Sequence, residues 1–217
     1  MARPSERVCA VAELVPADLM IEAVVEDAKV KAGLFRHADT VLPPEGILAS
    51  NTSSIPIASL AAVTVRPDRV IGMHFFNPVP VLKLVEVIPT EATSDETTAA
   101  ILQLSRDLGK EPVEARDVAG FAANRILMPF INEAVRALAD GVADAESIDT
   151  VARLGFGHPI GPLALADLIG LDTLVSIMEV LVLGLGDEKY APHPLLRDHV
   201  SAGRLGRKSG SGFFDYR

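Results

Sequence analysis

The chain has 217 residues, 49% of them hydrophobic, with 20 Lys and Arg against 29 Asp and Glu and a formal net charge of −9. That length sets one or two domains, and the apolar share is enough to fill true cores. The acidic balance speaks against general nucleic-acid binding, which needs clustered Lys and Arg against phosphates, but it leaves room for an anionic small ligand at a locally basic site. Taken from the N-terminus, Met1 to Arg7 are polar and no long apolar run follows, so no signal peptide is expected. Cys9 is the single cysteine, which rules out an intramolecular disulfide and points to a reducing, cytoplasmic setting. It reads as a small apolar residue in a strand rather than as a reactive thiol.

Residues 19–25 read as a strand and residues 26–41 as a helix with Val30, Leu34 and Phe35 on its apolar face, stopped by Pro43-Pro44 and Gly46. Residues 47–50 form a short apolar run ending in the turn and cap residues Asn51-Thr52-Ser53-Ser54. A short helix over 57–63, strands over 70–76 and 83–88, a helix opened by a Thr93/Glu96 capping box and running to Gly109, and a last strand over 112–116 complete this half. Such alternation implies a largely parallel sheet covered by helices. From Phe121 onward the periodicity is helical, over 121–139, 145–154, 163–183 and 195–202. The stretch 163–185 is the most apolar, but Asp167, Asp172 and Glu179 within it favour a buried helix over a membrane span. The expected fold is therefore an α/β, partial Rossmann-type (doubly wound) domain over 1–117, followed by an all-α domain over 118–217. No Gly-x-Gly-x-x-Gly occurs, and Gly155-Phe156-Gly157 has neither the spacing nor the strand–helix context of one.

His74 ends a strand in Met73-His74-Phe75-Phe76-Asn77-Pro78, where open α/β sheets bind ligands. Glu86 lies on the next strand between Val85 and Val87, where a carboxylate is costly to bury without a partner. A neighbouring histidine supplies one, and such a pair fixes the tautomer of a general base; the alternatives are a purely structural pair, or two unrelated residues with Glu86 facing solvent. Ser53 and Ser54 read either as helix-capping hydroxyls or as groups aimed at a ligand. Asn124 is a poor mid-helix residue that could hold a ligand oxygen, cap, or bridge helices. Gly206-Arg207-Lys208-Ser209-Gly210-Ser211-Gly212 could cradle an anion or form a solvated turn. His158, His193 and His199 lack partners at metal spacing, so no metal is expected.

Together these segments resemble the 3-hydroxyacyl-CoA dehydrogenase family over nearly the whole chain, from about Ala17 to Tyr216. The resemblance rests on Ile21-Glu22-Ala23-Val24-Val25-Glu26-Asp27, Ser50-Asn51-Thr52-Ser53-Ser54, His74-Phe75-Phe76-Asn77-Pro78 with Lys83-Leu84-Val85-Glu86-Val87, Gly120-Phe121 with Asn124-Arg125, Gly157-His158-Pro159, and Gly206-Arg207-Lys208-Ser209-Gly210. It implies NAD-linked oxidation of a short-chain (S)-3-hydroxyacyl-CoA, of the 3-hydroxybutyryl-CoA type. His74 would be the general base, Glu86 its orienting partner, and Ser53 and Asn124 the groups that bind the reacting end of the acyl-CoA. Glu26, Lys31, Asn51, Asn77 and Lys208, with Ala23 and Ser53 beside them, would contact NAD. The C-terminal helices would supply a homodimer interface and one wall of the substrate cleft.

The family begins with a strand, Gly-rich turn and helix that hold the pyrophosphate, and this sequence starts after that segment. The expectations that follow are a cofactor held by its nicotinamide half alone, an exposed apolar sheet edge near residues 19–25, and turnover compromised by truncation. Two rival readings remain: a catalytically silent remnant that dimerises or binds CoA, and a dehydrogenase for another 3-hydroxy acid.

Overall fold

The computed structural model describes Val11 and residues 17–217, so Cys9 lies outside the described residues. The chain divides into two compact units, Met1–Ala122 and Ala123–Arg217. The first is built on a five-stranded sheet whose spatial order is its sequence order: β1 (Leu19–Glu22), β2 (Ile47–Ser50), β3 (Val70–Phe75), β4 (Leu84–Pro89) and β5 (Glu111–Glu114). β1, β2 and β3 are parallel, β4 is antiparallel to β3, and β5 is parallel to β4. The one antiparallel step follows from chain length, because residues 76–83 are too few for the crossover that a parallel neighbour needs.

Alternation of side chains along the strands gives the sheet two apolar faces. Leu48, Val70 and Ile88 pack with Phe35 and Ala38 of α1 (Ala28–Val41) and with Ile57 and Leu60 of α2 (Ile57–Ala61). Ala49, Ile71, Met73, Val85 and Val87 pack on the other face with Ile101 of α3 (Asp95–Asp107). Each large side chain so buried contributes about 1.5–3 kcal/mol. Gly72 allows α2 to lie close on β3, since a Cβ there would come within 2.8 Å of Ile88 and 3.0 Å of Ile57. β1 is paired only with β2 among the described residues, and Ile21 within it and Val24 and Val25 after it are exposed.

Several local expectations are corrected in this unit: the strand expected over 19–25 ends at Glu22, the helix expected over 57–63 ends at Ala61, and the last strand runs Glu111–Glu114 rather than over 112–116. α1 begins at Ala28 rather than at residue 26, because the Asp27 side chain accepts from the N–H groups of Lys29 and Val30 and caps it there. α3 is capped by Ser94, which accepts from Thr97 N, and not by Thr93; the Thr93 hydroxyl instead donates to Val70 O at 2.7 Å.

The second unit is helical: α4 (Ala123–Ala139), α5 (Ala145–Thr150), α6 (Pro162–Ile169), α7 (Leu171–Leu185) and α8 (Pro194–Ser201). The expected helix over 145–154 is α only to Thr150 and continues as a π turn, Val151–Gly155. The expected single helix over 163–183 is two helices bent by 96° at Gly170, whose φ of 103° is open to glycine but strained for other residues. No single helix among the described residues is long and apolar enough to cross a membrane; α6 and α7 reach that composition only together, across the bend.

Two buried carboxylates hold this unit's turns. Asp149 accepts from Leu163 N and Ala164 N at the start of α6, at 2.8 and 2.9 Å. Asp167 accepts from Phe213 N, Phe214 N and the Tyr216 hydroxyl at 2.9, 2.9 and 3.1 Å. Residues 206–212 fold against Asp167 so closely that a Cβ at Gly212 would lie 1.9 Å from its Oδ1.

Candidate active site

β3 and β4 place His74 directly opposite Glu86 in the antiparallel register. His74 Nδ1 lies 2.9 Å from Glu86 Oε2, with His74 7% and Glu86 1% exposed. The other carboxylate oxygen, Oε1, accepts from Ala122 N at 3.0 Å. With Nδ1 committed to Glu86, Nε2 is the ring nitrogen left for a substrate. The imidazole is flanked by Phe76 at 4.6 Å and Phe121 at 5.9 Å between ring centroids.

Phe121 was not singled out as a site residue by sequence reasoning. It has a φ of 48° and follows Gly120, whose φ is 76°. A left-handed backbone is strained for a phenylalanine. The same turn sends the Phe121 ring toward His74 and the next backbone N–H to Glu86.

A second cluster lies on the same face of the sheet, at the carboxyl ends of β1 and β2. The register sets Glu22 beside Ser50 and Ser50 beside Gly72, two residues before His74 on β3. Lys31, from the first turn of α1, is 1% exposed and donates to Glu22 Oε1 at 2.6 Å and to Val24 O at 3.3 Å, with Glu26 Oε2 at 3.2 Å. The half-exposed carboxylate of Glu26 gathers the turn after β2, its Oε1 accepting from Thr52 Oγ1, Ser53 N, Ser54 N and Ser54 Oγ at 2.5 to 3.1 Å. Burial pushes the Glu26 carboxyl up, but the hydroxyls of Thr52 and Ser54 and the charge of Lys31 outweigh it and hold it below the usual carboxylate range. Asn51 ties β2 to β3 by accepting from Phe75 N at 2.8 Å. Ala23 and Asn77 are exposed, the latter followed by a cis peptide to Pro78.

The expected site residues of the second unit stand apart in sequence. Asn124 is buried in the first turn of α4. Lys208 lies in the 3-10 turn Arg207–Ser209 and pairs with Asp172 Oδ1 at 2.5 Å. Burial raises the Asp172 carboxyl, but Lys208 and the Thr173 backbone outweigh it and hold it below its ordinary value. The Gly-rich stretch around Lys208 is thus occupied with intramolecular contacts to Asp167 and Asp172. Among the described residues no His, Cys, Asp and Glu group is arranged to hold a metal ion.

Two family profiles match in tandem: 3-hydroxyacyl-CoA dehydrogenase, NAD binding domain, over residues 5–118, and 3-hydroxyacyl-CoA dehydrogenase, C-terminal domain, over residues 120–216. The chain belongs to the 3-hydroxyacyl-CoA dehydrogenase family. A Bacillus subtilis relative named "Probable 3-hydroxybutyryl-CoA dehydrogenase" is 59% identical over 200 residues, which cover 92% of this chain and 70% of the relative. The Clostridioides difficile 3-hydroxybutyryl-CoA dehydrogenase is 53% identical over 199 residues, covering 92% and 71%. The crystal structure of the (S)-3-hydroxybutyryl-CoA dehydrogenase of Ralstonia eutropha aligns with a TM-score of 0.94 at 50% identity, covering 97% of this chain and 74% of that one.

Family membership makes the protein an NAD-dependent oxidoreductase. In the first unit the carboxylate of Glu26 is half-exposed, and Ala23 and Asn77 are exposed. Glu22 also escaped sequence reasoning. The signal was present, because a carboxylate between Ile21 and Ala23 in a strand carries the same burial cost that singled out Glu86.

Proposed function

We propose that the chain interconverts a short-chain (S)-3-hydroxyacyl-CoA, of the 3-hydroxybutyryl-CoA type, and its 3-oxoacyl-CoA. The observation that carries this reading is the His74–Glu86 pair, buried and joined at 2.9 Å at the end of two adjacent strands. NAD, when bound, would supply the acceptor for the hydride that leaves C3 with both electrons of the C–H bond. His74 Nε2 takes the proton of the 3-hydroxyl, and Glu86 holds Nδ1–H and balances the imidazolium that results. In the reductive direction His74 returns that proton to the oxygen. Ser53, in the turn clasped by Glu26, and Asn124, in the first turn of α4, bind the reacting end of the acyl chain and the charge that develops at its oxygen. Ala23, Glu26, Lys31, Asn51, Ser53, Asn77 and Lys208 form the cofactor set, with residues 1–117 as the cofactor domain and 118–217 as the substrate and dimerisation domain.

The second unit supports a homodimer reading by itself. Val142, Val151, Leu154 and Phe156 are exposed, and beside them lies an apolar cavity of about 400 Å³ lined by Phe130, Ala134, Ala137 and Ile148. A cytoplasmic location accords with the single cysteine.

The test is reduction of acetoacetyl-CoA by the purified chain, followed by loss of NADH absorbance, with free acetoacetate as the comparison substrate. Turnover of the thioester alone supports the acyl-CoA reading. Equal turnover of the free acid would move the substrate class to plain 3-hydroxy acids, and no turnover with no binding of either ligand would overturn the proposal.

A further inference from the structure

Glu22 is buried, charged and unused by the chemistry above. It is 2% exposed, and every contact is a donor to it: Lys31 Nζ and Val24 N on Oε1 at 2.6 Å each, and Ser50 Oγ on Oε2 at 2.7 Å. Burying a carboxylate and an ammonium together is expensive and gains little over an apolar pair of the same volume. A tie of this kind is informative where it fixes a charge beside a working site. The register provides that setting, because Glu22, Ser50, Gly72 and His74 share one face of the sheet. Neighbouring strands are about 4.8 Å apart and residues rise about 3.3 Å each, which puts the Cα atoms of Ser50 and His74 roughly 8 Å apart.

We propose that Glu22 is a positioning residue for the nicotinamide cofactor, holding the Lys31 ammonium back so that Glu26 keeps an oxygen for the ligand. The inference rests on the reading of this unit as the cofactor site. Lys31 stands between two carboxylates, at 2.6 Å from Glu22 and 3.2 Å from Glu26. While Glu22 holds the ammonium, Glu26 Oε1 is spent on the turn after β2 and Oε2 is shared with Lys31 at the longer distance. Removing the charge at residue 22 draws Lys31 onto Glu26, and the oxygen that would meet a ribose hydroxyl is consumed.

The experiment measures NADH and acetoacetyl-CoA affinity by calorimetry for the whole chain, for Glu22→Gln, and for Ser50→Ala, which removes one donor to Glu22 and keeps its charge. Glu22→Gln is expected to weaken NADH about tenfold and leave acetoacetyl-CoA within about twofold, with Ser50→Ala shifting NADH in the same direction by less. The NADH effect should vanish when Glu22→Gln is made in a Lys31→Met background, because the coupling runs through Lys31. Equal loss of both ligands, or an NADH affinity unchanged in Glu22→Gln and in Ser50→Ala, overturns the inference and leaves the cofactor reading intact. Failure of the unaltered chain to bind NADH overturns both together.

Discussion

Glu86→Gln changes one carboxylate oxygen into an NH2 group at nearly constant volume. Among the groups that meet the native carboxylate are His74 Nδ1, at Oε2, and Ala122 N, at Oε1. Glutamine offers one acceptor for the two. If its oxygen turns to His74, Ala122 N faces an NH2 group, and a buried unpaired N–H costs about 1–3 kcal/mol. If the oxygen turns to Ala122, Nδ1 must accept from the NH2 group and the ring proton moves to Nε2. That is the nitrogen required to take the substrate proton, so the base is lost. General-base catalysis contributes about 10²- to 10⁴-fold, which is roughly 2.7–5.5 kcal/mol of barrier. The expected result is a kcat for 3-hydroxybutyryl-CoA oxidation lowered at least about hundredfold, with KM within about threefold because the binding groups are untouched. A kcat within about fivefold of the native value, in a variant with native melting behaviour, would refute the dyad.

Phe121→Ala removes a buried ring that packs against His74 and is expected to cost about 3–5 kcal/mol of stability, read by denaturant titration, with a fall in kcat as the imidazole loses one wall. Gly212→Ala would set a methyl 1.9 Å from Asp167 Oδ1 and break the contacts that hold residues 213–216; a loss of more than about 2 kcal/mol is expected, and a neutral result would contradict the close approach. His199 titrates below its ordinary value of 6.5, first because burial penalises the cation and then through the charge of Arg204, with Asp167 and Asp198 opposing. The unfolded chain therefore takes up this proton first as the pH falls. The His199 contribution to stability is full above about pH 6.5 and is lost as the pH drops from there through the folded value. Denaturation midpoints between about pH 7.5 and about pH 5.5 should fall less in His199→Gln than in the native chain.

What the sequence makes legible are features decided by local chemistry. Strand β2 has the expected bounds, 47–50, because an apolar run meets the turn residues Asn51 to Ser54 at its end. The pairing of His74 with Glu86 is legible because two short strands joined by residues 76–83 bring them face to face. Features decided by contacts far along the chain are less visible. Nothing in residues 163–183 announces the bend at Gly170, since an isolated glycine within an apolar helical pattern is tolerated by either geometry. Thr93 and Ser94 are both competent caps, and what separates them is that Thr93 is taken by a carbonyl of β3, 23 residues earlier.

The face of the sheet proposed to carry the chemistry owes its polar groups to the same physics. Met20, Leu48 and Val70 fill its lower half with apolar side chains against α1 and α2, and Ile88 sits opposite Gly72. One step further toward the strand ends the registered row becomes Glu22, Ser50 and Gly72, and the next pairs His74 with Glu86. Polar groups in that position would unfold a small unit if unpaired. Each instead finds a partner supplied by a different segment: Lys31 from α1, Ser50 from β2, and Ala122 N from the left-handed turn at Gly120-Phe121. The segments that satisfy these charges are also the ones that place them, so the cost of burying the site and the rigidity of the site have a common origin. Substitutions at Glu22, Glu86 or Phe121 should therefore lower stability along with NADH affinity for Glu22 and with kcat for Glu86 and Phe121, but not in proportion, the excess over the stability loss measuring the functional part.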